Sequence, residues 1–286
     1  MLCRVGSEPE RAFELTISSW RRELVKQGMH RLISLSFSHY NEKARWALDR
    51  FAVPYREERY LPFFCSMAVA VATRGRGGAA DRTSSRYSTP VLITENGRVL
   101  TDSTEIARFA AGSVYSLFPN DEVASLVDHY GDRLGPYTRL LAYWHVLQHP
   151  GMIERLAEAN VGRRQVQVFR WLLPVARPSL ERSFNLTETS RDKAMVRLRE
   201  ELDATATKLE QTRYLCGDHF TAADLTFAAL VAPVLCITPE EGYGAVLPSF
   251  ADLNPEAREL VEETRAHPAG QFALRMYAEE RRRIVP

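Results

Sequence analysis

The chain has 286 residues, and its 37 Lys and Arg against 36 Asp and Glu give a formal net charge of +1 at pH 7. This balance gives no reason to expect a nucleic acid or an anionic membrane as a partner. A length of this order suffices for two domains, and the apolar fraction of 45% is ordinary for a soluble globular protein. The longest apolar stretch, residues 61–72, is far short of the roughly 20 residues that a bilayer-spanning helix needs.

The cysteines, at positions 3, 65, 216 and 236, are widely spaced and form no CxxC motif. In a chain of this length the pattern favours a reduced protein over a disulfide scaffold. Residues 1–29 are interpreted as an N-terminal extension without a catalytic role, in which the spacing of Phe13, Ile17, Trp20 and Leu24 predicts an amphipathic helix. Its acidic residues count against a signal or transit peptide, so we expect a cytoplasmic location.

The segment after this extension is predicted to be an α/β domain. The predicted elements are, in chain order, a strand at 32–36, a helix at about 40–51, a strand at 55–60, a short helix and a mobile loop within 61–88, a hairpin at 90–101 and a helix at 103–111. The first three elements form a βαβ unit with a parallel strand pair. Asn96-Gly97 between two apolar runs is a strong signal for a tight antiparallel hairpin.

The remainder of the chain is predicted to be helical. Residues 112–120 are interpreted as a linker, and Gly135-Pro136 is expected to kink or divide the first helix after it. Thr221 to Asp224 is an acidic variant of the capping box and predicts a helix start. The other helices are predicted at about 137–148, 152–173, 189–211, 222–232 and 255–282.

Ser38 directly follows the first strand and lies at a predicted helix N-terminus. Free backbone N–H groups and the positive end of the helix dipole stabilise an anion there, and a thiol bound there has a lowered pKa. A serine hydroxyl at this place can donate a hydrogen bond to a bound thiolate and keep it ionised near neutral pH. The alternative interpretation is an ordinary N-cap.

Two further dipeptides follow in a fixed order. Thr89-Pro90 opens a strand, and a cis bond there would turn the Thr89 backbone outward towards a peptide-like ligand, although a trans bond is the default. Asp102-Ser103 opens the next helix, where Ser103 can bond a carboxylate and Asp102 can pair with an ammonium group. A zwitterionic amino-acid terminus needs both features side by side. Capping is again the alternative for this pair.

Taken together, these signals resemble those of the glutathione S-transferase family. Many members carry a C-P-Y-C-x-K-type sequence after the first strand, which residues 38–43 match at Tyr40 and Lys43, with Ser38 in the first position. Pro90 resembles the family's cis-proline, and Asp102-Ser103 resembles its acidic-serine pair. The resemblance covers about residues 30–282, and includes the family's C-terminal capping motif at 221–224.

The resemblance implies a thioredoxin-like α/β N-terminal domain at 30–112 and an all-α C-terminal domain at 121–286. It also implies a cytoplasmic detoxification enzyme that joins the glutathione thiolate to a small apolar electrophile. Glutathione is then a co-substrate, bound along Thr89-Pro90 with its γ-glutamyl end at Asp102-Ser103, and Ser38 stabilises the thiolate. No tightly bound cofactor is expected, and a homodimer is expected from the resemblance alone.

Several departures from the family pattern keep alternatives open. The long 61–88 segment and the N-terminal extension favour a non-catalytic module for ligand carriage or protein interaction. A thiol-disulfide reductase is disfavoured, because Ser38 and Asn41 stand where the redox-type motif has cysteines. Tyr40 remains an alternative donor to the thiolate. The candidates for holding the glycine carboxylate of glutathione are Arg74, Arg76, Arg82 and Arg86, with none preferred.

A second-substrate pocket is predicted from aromatic residues. Tyr137, Tyr143 and Trp144 lie on one predicted helix, and we assign the pocket to Tyr40, Tyr137 and Trp144, with ordinary core packing as the alternative. His145 and His149 have the i, i+4 spacing of metal ligands, but the sequence has no HExxH motif and no placed third ligand. We therefore predict no metal site.

Overall fold

A computed structural model describes residues 29–78, 85–112, 117–149 and 151–285. The predicted amphipathic helix in the extension, the centre of the loop within 61–88 and part of the predicted linker lie outside the described residues. Among the helices of the described ranges, none is long and apolar enough to cross a membrane.

The N-terminal half is built on a four-stranded mixed sheet with the order β2-β1-β3-β4. Its elements are β1 (His30–Leu35), α1 (His39–Arg50), β2 (Tyr55–Tyr60), α2 (Phe64–Ala72), β3 (Val91–Ile93), β4 (Val99–Leu100) and α3 (Ser103–Ala111). β1 pairs in parallel with β2 and antiparallel with β3, which in turn pairs antiparallel with β4. The predicted βαβ unit, hairpin and following helix are confirmed.

Helices cover both faces of the sheet, because β1 has apolar side chains on both sides. Leu32 is fully buried with Leu92 in a core that includes α1 and α3. Its neighbour Ile33 points to the opposite face and packs with Val69 of α2. The carboxyl end of β1 and the start of α1 are thereby fixed between two helical layers.

The second half is all-helical in its described part. Its elements are α4 (Asp121–Arg133), α5 (Gly135–Gln148), α6 (Met152–Asn160), α7 (Arg163–Ser183), α8 (Glu188–Leu209), α9 (Ala222–Leu235), a 3-10 turn (Phe250–Asp252), α10 (Pro255–Ala266) and α11 (Pro268–Glu279). α9 is the central helix, apolar and buried on nearly all sides. Its N-terminus has the predicted capping box, in which the Asp224 carboxylate accepts from the Thr221 backbone N–H at 2.7 Å.

The predictions of two long continuous helices are wrong, because each of these segments forms two helices in the structure. The helix predicted at 152–173 breaks before Gly162, whose backbone is extended (φ −70°, ψ 150°), and α7 starts after it. The helix predicted at 255–282 breaks at His267, which is also extended (ψ 141°) because Pro268 disfavours a helical conformation in the residue before it. The predicted division at Gly135-Pro136 is confirmed, since α4 ends at Arg133 and α5 begins at Gly135.

A buried ion network joins the two halves. The Glu42 carboxylate of α1 accepts from Arg281 Nε at 2.7 Å, from Arg45 Nε at 2.9 Å and from the Gly244 backbone N–H at 3.0 Å. Glu42 is fully buried, and both arginines are nearly so. A Cβ atom at Gly244 would lie 2.4 Å from Arg45 Nε, so only glycine lets the backbone approach the ion pair this closely. The network holds α1 against the segment that follows α11.

Candidate active site

A cavity of about 610 Å³ lies between the carboxyl end of β1 and the helices of the second half. Ser38, Thr89, Pro90, Asp102 and Ser103 all line it. Residues that are as much as 65 positions apart in the sequence therefore share one space. A volume of this size falls in the usual range for small-molecule sites.

Ser38 occupies the N-cap position of α1 with an extended backbone (φ −75°, ψ 132°), yet its side chain makes no capping hydrogen bond. The backbone N–H of Ser38 donates to the Leu35 carbonyl at 2.9 Å, which sets the sharp turn between β1 and α1. The half-buried hydroxyl lines the cavity. It lies at the positive end of the helix dipole, where an added hydrogen-bond donor would stabilise an anion.

The Thr89-Pro90 bond is cis. The Thr89 hydroxyl oxygen accepts from the Leu35 backbone N–H at 3.2 Å and from Asn41 Nδ2 at 3.1 Å. Asn41 is fully buried. These two bonds tie the residue before Pro90, just ahead of β3, to the turn that holds Ser38, so the two predicted site segments keep a fixed separation.

Asp102 is the N-cap of α3, and its Oδ1 atom accepts from the Thr104 and Glu105 backbone N–H groups at 2.7 and 2.9 Å. Capping is therefore one role of this exposed carboxylate. Both bonds end on Oδ1, which leaves Oδ2 to face an ammonium group. Ser103 beside it is buried but lines the cavity at the helix N-terminus, a favourable place for a carboxylate.

Lys43 lies beneath the N-terminus of α3, and its role there was not predicted. The side chain is 2% exposed, and Nζ donates to Thr104 Oγ1 at 2.7 Å. Burial lowers the pKa of Lys43 to about 8, against the opposing attraction of Asp102 and Asp128. The ammonium adds positive charge behind the helix end at which Ser103 faces the cavity.

Lys43→Met should change how stability depends on pH. The folded-state pKa lies below the ordinary 10.5, so the unfolded chain binds more protons and the lysine contributes more stability as pH rises from about 8 to 10. We expect the free energy of unfolding of the wild type, relative to Lys43→Met, to rise over this window by up to about 3 kcal/mol. Urea unfolding at several pH values measures the difference.

The exposed Lys193 provides the matched control, since Lys193→Met should give no such pH-dependent difference. Other groups that titrate in this pH window are present in the wild type and in both variants, so their contributions to the free energy of unfolding cancel in the comparison. A wild-type curve parallel to that of Lys43→Met would show that the ammonium of Lys43 is as well accommodated in the fold as in water.

His39 and Tyr40 dock α1 onto the second half. His39 Nε2–H donates to the Gly135 carbonyl at 2.9 Å, and burial, aided by Arg139, lowers the pKa of His39 to about 3. The ring is therefore neutral. The Tyr40 hydroxyl donates to the Gly131 carbonyl at 2.8 Å, and a Cβ at Gly135 would lie 2.2 Å from that hydroxyl. Since the Tyr40 proton is directed to a backbone carbonyl, Ser38 is the better placed donor in the cavity.

The α5 residues that line the cavity are not the aromatic residues assigned to the second-substrate pocket. Tyr137 and Trp144 are absent from the described lining, and Trp144 instead packs beneath the Arg191 guanidinium, 5.2 Å from its ring centroid. Arg139, Ala142, Tyr143 and Val146 of α5 line the cavity and recur at helical i, i+3, i+4, i+7 spacing. His145 lines the cavity as well. Tyr143 stacks on Phe184, with ring centroids 4.2 Å apart.

The thiols that line the cavity are protonated. Burial raises the pKa of Cys65, and burial raises that of Cys236 to about 12. Neither thiol is a ready nucleophile, because the thiolate is the reactive form.

Two further groups of side chains named in the sequence analysis can be located in the structure. Within the described ranges, no group of three His, Cys, Asp or Glu side chains, with or without His145 and His149, is placed to hold a metal ion. Arg74, Arg76 and Arg86 do not line the cavity, and Arg86 instead donates to the Arg76 carbonyl at 2.7 and 2.9 Å. Arg82 lies outside the described residues.

The fold and cavity define a thioredoxin-like α/β unit joined to a helical unit, with a serine at the first helix N-terminus. Residues 37–112 match the family described as "Glutathione S-transferase, N-terminal domain", and residues 171–253 match "Glutathione S-transferase, C-terminal domain". Since the two matches together span more than half of the chain, the protein belongs to the glutathione S-transferase family. No curated protein matches the sequence.

Solved structures show the same fold at low sequence identity. A glutathione S-transferase from Xanthobacter autotrophicus Py2 is 16% identical, with a TM-score of 0.53 over 90% of this chain and 97% of that one. A glutathione S-transferase of Ceriporiopsis subvermispora in complex with glutathione is 16% identical, with a TM-score of 0.53 over 90% and 99%. A family member from Pseudomonas fluorescens Pf-5 with two glutathione bound is 14% identical, with a TM-score of 0.51 over 90% and 95%.

Proposed function

We propose that this protein is a serine-type glutathione transferase that conjugates the glutathione thiolate to an apolar electrophile. The observation that carries the proposal is the Ser38 side chain, which stands at the N-terminus of α1 without capping it and lines the cavity with Pro90 and Ser103. Family membership and the glutathione-bound relatives support the choice of thiol.

Glutathione would lie along the start of β3, with its backbone facing Thr89. Its γ-glutamyl carboxylate would meet the N-terminus of α3 at Ser103, and its ammonium would pair with Asp102 Oδ2. Lys43 reinforces the positive potential behind the carboxylate without touching it, because its side chain is buried. Asn41 and Thr89 hold these parts in register.

The chemistry needs only the thiolate and a polarised carbon. The glutathione thiol loses its proton to solvent, and the Ser38 hydroxyl donates a hydrogen bond to the sulfur anion. With an activated aryl halide, the C–S bond forms as the halide leaves with its bonding electron pair. The neutral His39 and the protonated cysteines take no proton in this scheme.

The same proposal includes the finer points that the family resemblance suggests. These are domain boundaries at 30–112 and 121–286, a homodimer, a cytoplasmic location and a role in detoxification.

Calorimetric titration of glutathione tests the proposed thiol site. We expect binding in the micromolar-to-millimolar range, weakened about 5- to 10-fold in Asp102→Asn, because Asn still caps a helix but cannot pair with the ammonium. Asp102→Ala should weaken binding at least as much and also lower stability by about 1 kcal/mol, since the cap is lost.

The non-catalytic module remains the second candidate. It is favoured by one observation: none of Arg74, Arg76 and Arg86, the described candidates for holding the glycine carboxylate, lines the cavity. If glutathione binds but no electrophile turns over, this candidate replaces the transferase. If glutathione does not bind to the wild type at all, the proposed thiol site is wrong.

A further inference from the structure

The cavity continues well beyond the residues assigned to glutathione. Its far part, here called the distal chamber, is lined by residues of α6, α9 and α10: Ile153, Leu156, Val234, Ala257, Leu260 and Val261. Each of these side chains is at most 5% exposed. The chamber therefore reaches into the packed interior of the helical half.

The lining of α5 sets a scale for this extension. Arg139 lies at the Ser38 end, because it acts on His39. Val146 lines the cavity further along α5, and His149 lines it just past the C-terminus of that helix. At 1.5 Å rise per residue, Arg139 to Val146 spans about 10 Å. The space along α5 is thus longer than a single ring needs.

The distal chamber offers little to a charged ligand. Burial lowers the pKa of His145, so its ring is neutral near pH 7, and the Cys236 thiol is protonated. The acidic lining residue, Asp252, is exposed and faces Arg155 at 3.8 Å. Burying a charge among these aliphatic side chains would be costly, whereas a hydrocarbon gains from leaving water.

From this geometry we infer that the second substrate is an elongated, uncharged electrophile. Its reactive carbon lies at the Ser38 end, beside the stacked Tyr143 and Phe184 rings, and its hydrocarbon tail fills the distal chamber. The inference rests on the proposed function, since it assigns the partner of the same thiol. It specifies a substrate with a flexible aliphatic chain rather than a compact aromatic ring.

A series of S-alkylglutathiones tests this without catalysis. In calorimetric titrations of S-methyl-, S-butyl-, S-hexyl- and S-nonylglutathione, we expect affinity to rise with each added methylene, by up to about fourfold per group. In Ala257→Leu the added side chain fills the chamber. S-nonylglutathione should then lose most of its gain, whereas S-methylglutathione should bind as in the wild type.

Ala204→Leu provides the matched control, because Ala204 is exposed on α8 and should leave the series unchanged. Where Ala257→Leu fails to fold, Ala257→Met fills the same space with a more adaptable side chain. A series in which S-methylglutathione binds and longer chains bind no tighter would overturn the inference alone. An increase in affinity with chain length that both Ala257 variants retain would also overturn the inference alone. If none of the S-alkylglutathiones binds, the proposed function is wrong as well.

Discussion

Ser38→Ala should lower kcat/KM for conjugation of glutathione to an activated aryl halide by about 10- to 100-fold. A hydrogen bond to a charged acceptor contributes about 1.5–3 kcal/mol, and the Ser38 hydroxyl makes no capping bond that would compete for it. Without the donor, the thiol of bound glutathione is less acidic and a smaller fraction is ionised at neutral pH. The Kd of S-methylglutathione, which has no thiol to ionise, should not change.

The ultraviolet absorbance of the thiolate measures the cause directly. Titrating the glutathione complex with base should give a thiol pKa about 1–2 units higher in Ser38→Ala than in the wild type. Ser66→Ala is the matched control, because Ser66 lines the same cavity from α2. Equal turnover in Ser38→Ala and the wild type would remove Ser38 from its assigned role and return attention to Tyr40.

Features of the N-terminal half were predictable because their signals are local. The β1–α1 turn, the Asn96-Gly97 hairpin and the N-terminus of α3 each depend on residues within a few positions of one another. Hydrophobic periodicity and turn residues register such short-range preferences well. The assignment of Thr89-Pro90 to the same space as Ser38 came from the family resemblance, and the structure gives it a local cause in the Asn41 and Leu35 hydrogen bonds.

The contributions of Asn41 and Lys43 could not be predicted from their surroundings in the sequence. Their partners, Thr89 and Thr104, lie 48 and 61 positions away. A polar residue in the first turns of a helix ordinarily faces solvent, so nothing local indicated that these two are buried. Only the packing of α1 against α3 and against the turn before β3 gives them a role.

The aromatic residues of α5 show a different limit. Tyr143 and Trp144 are adjacent, and one residue along a helix turns the side chain by about 100°. Composition alone could not set the rotational phase of the helix, because that phase depends on what each face packs against. In the structure Arg139, Tyr143 and Val146 line the cavity, whereas Trp144 packs against Arg191.

Glu42→Ala should produce the largest loss of stability among the substitutions considered. It leaves the side chains of Arg45 and Arg281 buried without their shared carboxylate, although Arg45 keeps Glu57 and Arg281 keeps Asp49. Removing one partner of a buried ion pair typically costs about 3–5 kcal/mol, a large share of the roughly 5–15 kcal/mol that stabilises a domain. Glu263→Ala, which breaks the exposed pair with Arg199, should cost less than about 1 kcal/mol.

The pH dependence of the stability that Glu42 contributes tests whether this contribution is electrostatic. Burial alone would raise the pKa of Glu42, but Arg281 and Arg45 outweigh it and hold the pKa below the ordinary 4.5. The charged carboxylate therefore contributes stability above that value, and the contribution is lost as pH falls through the lower folded-state pKa. Urea unfolding from pH 7 downward should show a constant gap between the wild type and Glu42→Gln that narrows only below about pH 4.5. Because Gln has nearly the size of Glu, a gap independent of pH would mean that packing and hydrogen bonding, rather than charge, hold α1 against the C-terminal segment.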